Sequence, residues 1–476
     1  MSEVKTVVNQ EFAASFKGFM DTMTSQAPRE LPFFYQKLTE HFGGDIEKLQ
    51  VVGETFPRPD HPNLHLALTE YLDAPGRSHE LFGMQVPNEH MGIKLAHLMQ
   101  KDGQDWQTPK RAPVEYVNIT LDDERVLACV KAGLYLVREG GQPMAVMIQG
   151  PSLQNWGPQL VGIEVLAADR ARAEDFLNVI RRAMRVRNVY RGHVISIDSE
   201  HGNLAIKFHH LPKIGRDGII LPQGIIDRIE RHTVGFVRAQ AKLLKAKRHL
   251  KRGLLLYGPP GTGKTLTAMY LASLMPDRTI ILLTGHTIGA IEDSCRLARL
   301  LQPSTVILED VDLIAEERTH QSTGTNAVLF DLLNQMDGLA DDMDVLFLLT
   351  TNRPEILEPA LAARPGRVDQ AIEVPLPDAE CRARLIALYS DGMDVQLNAR
   401  DELLSKTDGV SAAFIRELLR KAALFAASEP EATSSETLRV EDRHINEALH
   451  ELIVDGGVLT QQLLGASRPS NRAASC

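Results

Sequence analysis

The sequence predicts an α/β protein, a parallel sheet flanked by helices, preceded by an α+β N-terminal region, and three observations carry that reading. A glycine-rich turn, Gly258 to Gly263, stands between an apolar run and an amphipathic pattern. Two later apolar runs end in polar residues. Strand-like runs interrupted by one helix precede them all.

The turn is the most informative stretch. Leu254 to Tyr257 form a short apolar run of the buried-strand type, and Lys264 opens a helix with Leu266, Met269, Tyr270 and Leu274 at helical spacing. Between them, Gly258, Pro259, Pro260, Gly261, Thr262, Gly263, Lys264 and Thr265 have the spacing of a P-loop. Glycines let backbone N–H groups close around phosphate oxygens with no Cβ in the way. The helix start adds its positive dipole end. Lys264 is placed to reach the β and γ phosphates, and the Thr265 hydroxyl to ligate Mg²⁺. The stretch, continued by Leu266, therefore predicts ATP and Mg²⁺ as ligands.

The chain has 476 residues, enough for two or three domains at roughly 150 residues each. A formal net charge of −10 argues against nonspecific nucleic-acid binding by the whole molecule. No apolar run approaches the ~18 residues needed to span a bilayer, and the polar stretch Met1 to Gln10 predicts no secretory leader. Cys129, Cys295, Cys381 and Cys476 lack paired or metal-ligand spacing, which predicts reduced thiols in a cytoplasmic protein.

Residues 1–113 read as a mixed helical region. Phe12, Phe16, Met20 and Met23 suit one helix face, Phe33 to Phe42 a second helix and Leu64 to Leu72 a third, with Pro57, Pro59 and Pro62 punctuating the link. His61 and His65 are four apart, but Pro62 follows the first and no glutamate lies between, which favours solvated or core histidines over a metal site.

Residues 114–212 read as an α+β domain for client choice or assembly. Its strand-like runs are Tyr116 to Leu121, Gly133 to Arg138, Met144 to Gln149, Gly162 to Leu166 and His193 to Ile197, with a helix at Ala168 to Val186. Arg181, Arg182 and Arg185 on that helix, with Arg187 and Arg191 beyond, fit a solvated face or a subunit contact better than an acidic or nucleic-acid ligand. Gly215 to Leu221 reads as a linker into the core.

A P-loop unit requires further groups downstream. Thr305 to Leu308 is an apolar run ending in Glu309-Asp310, with Asp312 beyond, so carboxylates stand at a strand's C-terminal edge, where open α/β sheets hold ligands. One would help hold Mg²⁺, and the other would orient the attacking water. Val345 to Thr351 is the next buried run, and Asn352 at its end can bond that water or the γ phosphate. Arg364 and Arg367 flank a Pro-Gly turn with guanidinium forks suited to phosphate.

In this order, P-loop, acidic strand, Asn352 and the segment TTNRPEILEPALAARPGRVDQAIEVPLPD resemble the AAA family of ATPases over about Ile220 to Val454. The resemblance implies a core at 213–377, a helical lid at 378–460 and a polar tail at 461–476 that reads as disordered. It also implies a homo-oligomeric ring, usually a hexamer, in which Arg364 and Arg367 act on the neighbour's nucleotide. By position Glu309 takes the metal role beside Thr265, and Asp310 the water role. Val234 and Gly235 match the family's adenine contact, and Ala412 its lid contact.

The chain departs from the family in three places. Its acidic pair runs Glu-Asp rather than Asp-Glu, an order resembling the mitochondrial translocase branch that handles folded Rieske protein. One extra residue lies between Asn352 and Arg364. The segment Thr284 to Gly289 has no aromatic residue where threading members grip an extended chain, and a second pore segment, Arg318 to Gly324, is polar. In the lid, Arg416 reads as a solvated helix arginine that could reach the phosphates. The resemblance implies Mg²⁺-dependent ATP hydrolysis that remodels or moves a macromolecular client; the overall acidity favours a protein over a nucleic acid, which only Arg181 to Arg191 support. The departures keep open a nucleotide-gated assembly scaffold with slow or no hydrolysis.

Overall fold

The computed structural model describes residues 15–18, 31–85, 92–101, 109–122, 125–151, 159–200, 203–248, 250, 252–283, 291–312, 335, 343–357, 368–396, 400–429 and 437–455. These form two compact units, one of residues 1–120 and 125–186, the other of 121–124 and 187–476.

The first unit is built on a seven-stranded antiparallel sheet. Its strands are β1 (Val51–Pro57), β2 (Arg77–Gln85), β3 (Lys110–Ala112), β4 (Glu115–Thr120), β5 (Val126–Glu139), β6 (Gln142–Gln149) and β7 (Leu160–Ala167). The order is β1-β7-β6-β5-β2-β3, with β4 paired to the long β5. Helices α1 (Phe33–Phe42), α2 (His61–Leu72), α3 (Leu95–Leu98) and α4 (Arg170–Val186) complete it. Helix α4 buries Ala173, Phe176, Leu177, Ile180 and Met184, an i, i+3, i+4, i+7 stripe that packs with α2 on one face of the sheet. Phe34, Tyr35 and Leu38 of α1 cover the other face, and Gly43, with φ +70°, ends that helix.

This arrangement corrects the division at residue 113. Strands β1 and β2, from the part expected to be helical, pair with β7 and β5 of the same sheet. Pro62 lies in the first turn of α2 rather than in the link, where its missing N–H costs nothing. His61 is a core histidine, its Nε2 2.9 Å from the Val130 carbonyl. Burial holds its imidazolium down to a pKa of about 4. Arg181 is bound to Glu54 at 2.8 Å, which commits it to structure. The Phe12 helix lies outside the described residues apart from 15–18.

The second unit contains a seven-stranded sheet of order β14-β10-β13-β12-β11-β8-β9. Its strands are β8 (Val194–Glu200), β9 (Asn203–His209), β10 (Arg252–Tyr257), β11 (Thr279–Leu283), β12 (Ser304–Leu308), β13 (Val345–Thr351) and β14 (Gln370–Glu373). All neighbours are parallel except the β8–β9 hairpin. Strands β12 and β13 are buried along their whole length, as expected for parallel strands covered on both faces. The hairpin at 194–209, expected in the preceding domain, instead extends this sheet: Ile280 of β11 is in register with Val194 of β8. Arg191 beside it donates to the carbonyls of Leu300 and Gln302.

Helices α5 (Ile225–Glu230), α6 (Phe236–Lys245), α7 (Lys264–Ser273) and α8 (Ile291–Leu300) accompany the sheet. Ile226, Ile229, Ala268 and Leu271 pack on one side of it, and Ile291, Cys295 and Ala298 on the other. The lid has its own core, formed by α9 (Ala379–Tyr389), α10 (Arg400–Lys406), α11 (Ala412–Ala427) and α12 (Asp442–His450), with a parallel pair β15 (Met393–Gln396) and β16 (Leu438–Glu441). Asp378 caps α9 by accepting from the Cys381 N–H, and Ser411 caps α11 by accepting from the Phe414 N–H. No helix among the described residues is long and apolar enough to cross a membrane. The tail 461–476 lies outside them.

Candidate functional site

The sheet order assembles the site. Strand β10 lies between β14 and β13, and β12 lies next to β13, so the chain leaving the C-terminal ends of β10, β12 and β13 converges at one edge. Tyr257 is in register with Thr351, and Leu308 with Leu349. The P-loop follows the first of these strands, the acidic pair the second and Asn352 the third.

Within the loop, Gly258, Gly261 and Gly263 all have positive φ. At Gly258 an added Cβ would stand 2.2 Å from the Val374 carbonyl oxygen, so a side chain there is excluded by backbone. Gly261, with φ +74°, faces the lid: an added Cβ would stand 2.7 Å from Ser411 Oγ and 2.9 Å from Ala413 Cβ. The Ala413 N–H donates to the Gly261 carbonyl at 3.0 Å, which joins the loop to the first turn of α11. Gly261→Ala is therefore expected to cost about 1–3 kcal/mol and to separate lid from loop. Thermal denaturation with a nucleotide titration should show a lower midpoint and weaker binding together.

Lys264, 5% exposed, donates from Nζ to the carbonyls of Gly258 at 2.9 Å and Pro259 at 2.8 Å, and to Asn352 Oδ1 at 2.7 Å. Burial pushes its pKa down to about 8, against the opposing pull of Asp310 and Asp312. Asn352 in turn donates from Nδ2 to Asp310 Oδ1 at 3.0 Å. Asp312, 3% exposed, accepts from the Thr351 hydroxyl at 2.8 Å and from the Asn352 N–H at 3.2 Å. A continuous set of polar bonds thus joins the P-loop lysine to the acidic strand end.

Asp310 adopts φ +49°, a left-handed backbone that a non-glycine residue holds only when its surroundings enforce it. Its N–H donates to Thr350 Oγ1 at 3.1 Å. Burial, then Asp312, raise its pKa, while Lys264 and Asn352 oppose the shift. Glu309 is half-buried, and its Oε1 is buried without a partner. Burial, then Asp310, raise its pKa as well.

Lys264, Asn352 and Asp310 border a cavity of about 680 Å³, within the range of small-molecule sites. Gly261 to Leu266, Pro260, Asp310 and Asn352 form its polar end. Ala412 and Ala413 line it from the lid, and so do Leu385, Tyr389 and Arg416, an exposed helix arginine that was expected to be within possible reach of the phosphates.

Val234 and Gly235 do not line the cavity; Val234 is 5% exposed and packs into the core below the sheet, with Gly235 ending a π-turn at Arg231–Gly235. The apolar wall comes from Gly218 to Leu221, the segment read as a linker. An apolar Ile219-Ile220-Leu221 run beside a glycine was the available signal. Glu309 likewise does not line the cavity, whereas Asp310 does. Arg364, Arg367 and both pore segments lie outside the described residues.

A hard divalent cation takes oxygen ligands, and the donors present fit one. Thr265 is exposed and lines the cavity, Asp310 lines the same cavity, and Glu309, its neighbour in the chain, has an orphaned buried oxygen.

Residues 254–376 match the family model described as "ATPase family associated with various cellular activities (AAA)". The chain is 35% identical over 188 residues to the proteasome-activating nucleotidase of Methanothermobacter thermautotrophicus, covering 37% of this chain and 46% of that protein. It is 34% identical over 188 residues to 26S proteasome regulatory subunit 10B of Dictyostelium discoideum, covering 37% and 48%. Over 221 residues it is 32% identical to the cell division cycle protein 48 homolog of Archaeoglobus fulgidus, covering 42% and 30%. The chain spans less than half the length of these relatives.

Proposed function

We propose that the AAA ATPase domain carried by this chain hydrolyses ATP with Mg²⁺, and that a homo-oligomeric ring, a hexamer, uses the cycle to remodel or move a protein client. The observation that carries the reading is the bonded series Lys264, Asn352, Asp310 at the cavity's polar end.

In this reading the P-loop N–H groups hold the β and γ phosphates, and Lys264 exchanges its carbonyl partners for phosphate oxygens. Asn352 and Asp310 place a water in line with the γ phosphorus, and Asp310 accepts its proton as the water attacks. The bond to the leaving β–γ bridging oxygen breaks, leaving ADP and phosphate. Thr265, with Asp310 or Glu309, would hold Mg²⁺, which neutralises phosphate charge when bound. Ile219 to Leu221, Tyr389 and Ala412 would hold the base. Arg364 and Arg367 would reach the nucleotide of the next subunit and stabilise charge in the transition state.

The proteasomal names of two relatives support a protein client. The kinship with the Rieske-protein branch rests on the order Glu309-Asp310 alone, and the reading does not use it. The buried thiols Cys129, Cys295 and Cys381 support a reducing, cytoplasmic setting. A nucleotide-gated scaffold is the second reading, supported by Asp310 being one methylene shorter than the family's glutamate and already bonded to Asn352.

Native mass and phosphate release, measured together for wild type and Arg367→Ala, test the ring. Wild type should assemble and turn over, and Arg367→Ala should bind nucleotide but lose most turnover. Equal turnover by an isolated wild-type monomer would defeat the shared-site reading.

A further inference from the structure

Helices α5 and α6 are joined by the π-turn into one helical rod, Ile225 to Lys245, about 30 Å long at 1.5 Å per residue. Phe236, Val237 and Leu243 turn inward and are partly buried, Gln240 donates to Asp344 at 2.5 Å, and Arg252 stacks over the Phe236 ring at 5.1 Å. The inward face is thereby fixed. The outward face of α6 carries Arg238, Lys242 and Lys245 at i, i+4 and i+7, all exposed, and the chain beyond adds exposed Lys247 and Arg248. Arg228 and Arg231, also exposed, precede them on the rod.

None of these cations forms an ion pair among the described residues. Elsewhere ion pairs are common, as at Arg170–Glu174, Lys406–Glu402 and Arg420–Glu417. The two acids on the rod, Asp227 and Glu230, are both engaged by Arg216, and Glu230 also accepts from the Tyr270 hydroxyl. Cations in a row along a helix repel one another, and an anion bound along the row relieves that repulsion.

We propose that this rod is a docking rail for the sugar–phosphate backbone of a nucleic acid, read without sequence preference. The chemistry of the face decides between partners. A protein partner needs buried apolar anchors at its centre, and the outward face offers one large apolar side chain, Leu244, 45% exposed. A bilayer surface needs the apolar face outward, whereas here it is turned in. A phosphate backbone needs evenly placed Arg and Lys and nothing more. The net charge of −10 argues against binding by the whole surface but leaves a local cationic face free to act, because charges beyond about 8 Å are screened at physiological ionic strength.

The rail goes beyond the ATPase reading and stands without it. The test uses the full chain and a fluorescein-labelled DNA duplex of arbitrary sequence, read by anisotropy between about 50 and 200 mM salt. Wild type should bind, and lose roughly a hundredfold in affinity or more across that range. The triple variant Arg238→Gln, Lys242→Gln, Lys245→Gln should bind more weakly at every salt concentration. Its log–log salt slope should be shallower by about 2–3, with the thermal midpoint unchanged. Absence of binding, or equal slopes for wild type and variant, overturns the proposal. So does a variant that changes only native mass, or only binding to phosphatidylserine vesicles, because the rail then serves a second copy or a lipid surface.

Discussion

Lys264→Ala is expected to abolish nucleotide-dependent stabilisation of the protein and to weaken ATP binding by roughly a hundredfold or more, about 3 kcal/mol. Lys264 is 5% exposed, and its ammonium is held by two carbonyls and Asn352. Binding replaces neutral acceptors with anionic ones, and the charge-assisted bonds are the stronger. The same burial makes the effect depend on pH. With its pKa lowered from 10.5 to about 8, Lys264 is charged below that value and loses its proton as pH rises through it. Nucleotide affinity should therefore weaken on going from below to above pH 8.

Stability without nucleotide moves the other way. Between about 8 and 10.5 the unfolded chain binds more protons at this group than the folded one, so its contribution to stability rises with pH across that window. Thermal midpoints on both sides of pH 8, with and without ATP, check the two trends in one series. Lys264→Ala should remove both.

Asp310→Asn is expected to lower ATP turnover by about 10²–10⁴, the usual worth of a positioned general base, while nucleotide binding is kept. Asp310 lines the cavity, is aimed there by a left-handed backbone and is bonded to Asn352. Glu309→Gln, at a side chain that does not line the cavity, should have the smaller effect on turnover. Since burial and Asp312 raise the Asp310 pKa, and the base must be ionised to accept a proton, turnover should fall as pH drops through that raised value. A turnover profile against pH, compared between wild type and Asp310→Glu, reads this directly.

Much of the catalytic side was legible because local rules dominate there. A strand followed by positive-φ glycines and a helix is set by backbone geometry, and the runs Val345 to Thr351 and Ser304 to Leu308 are mostly apolar and buried throughout because both faces of a parallel sheet are covered. The first unit was harder to read for a related reason. Strand β6, buried over Met144 to Ile148, was legible as an apolar run, whereas β2 carries Arg77, His79 and Glu80 with exposed or partly exposed side chains at its start and shows no period of two there.

Pairing was beyond local pattern as well. Nothing in residues 194–209 says that they join β11, which lies far along the chain. At the site, position in a family pattern placed Val234 at the base and Glu309 at the metal. The cavity wall carries Ile219 to Leu221 and Asp310, and neither Val234 nor Glu309. The reason is steric: after β12 the backbone turns through φ +49° at Asp310, and that turn decides which of two adjacent carboxylates faces the cavity.

The most direct test of the account is steady-state phosphate release from ATP and Mg²⁺ by the full chain, alongside equilibrium nucleotide binding, for wild type and Asn352→Ala. Asn352 bridges Lys264 and Asp310, so the account predicts turnover by wild type and its loss in Asn352→Ala with binding largely retained. Binding by both proteins without turnover by either would contradict it and leave a nucleotide-gated scaffold in its place.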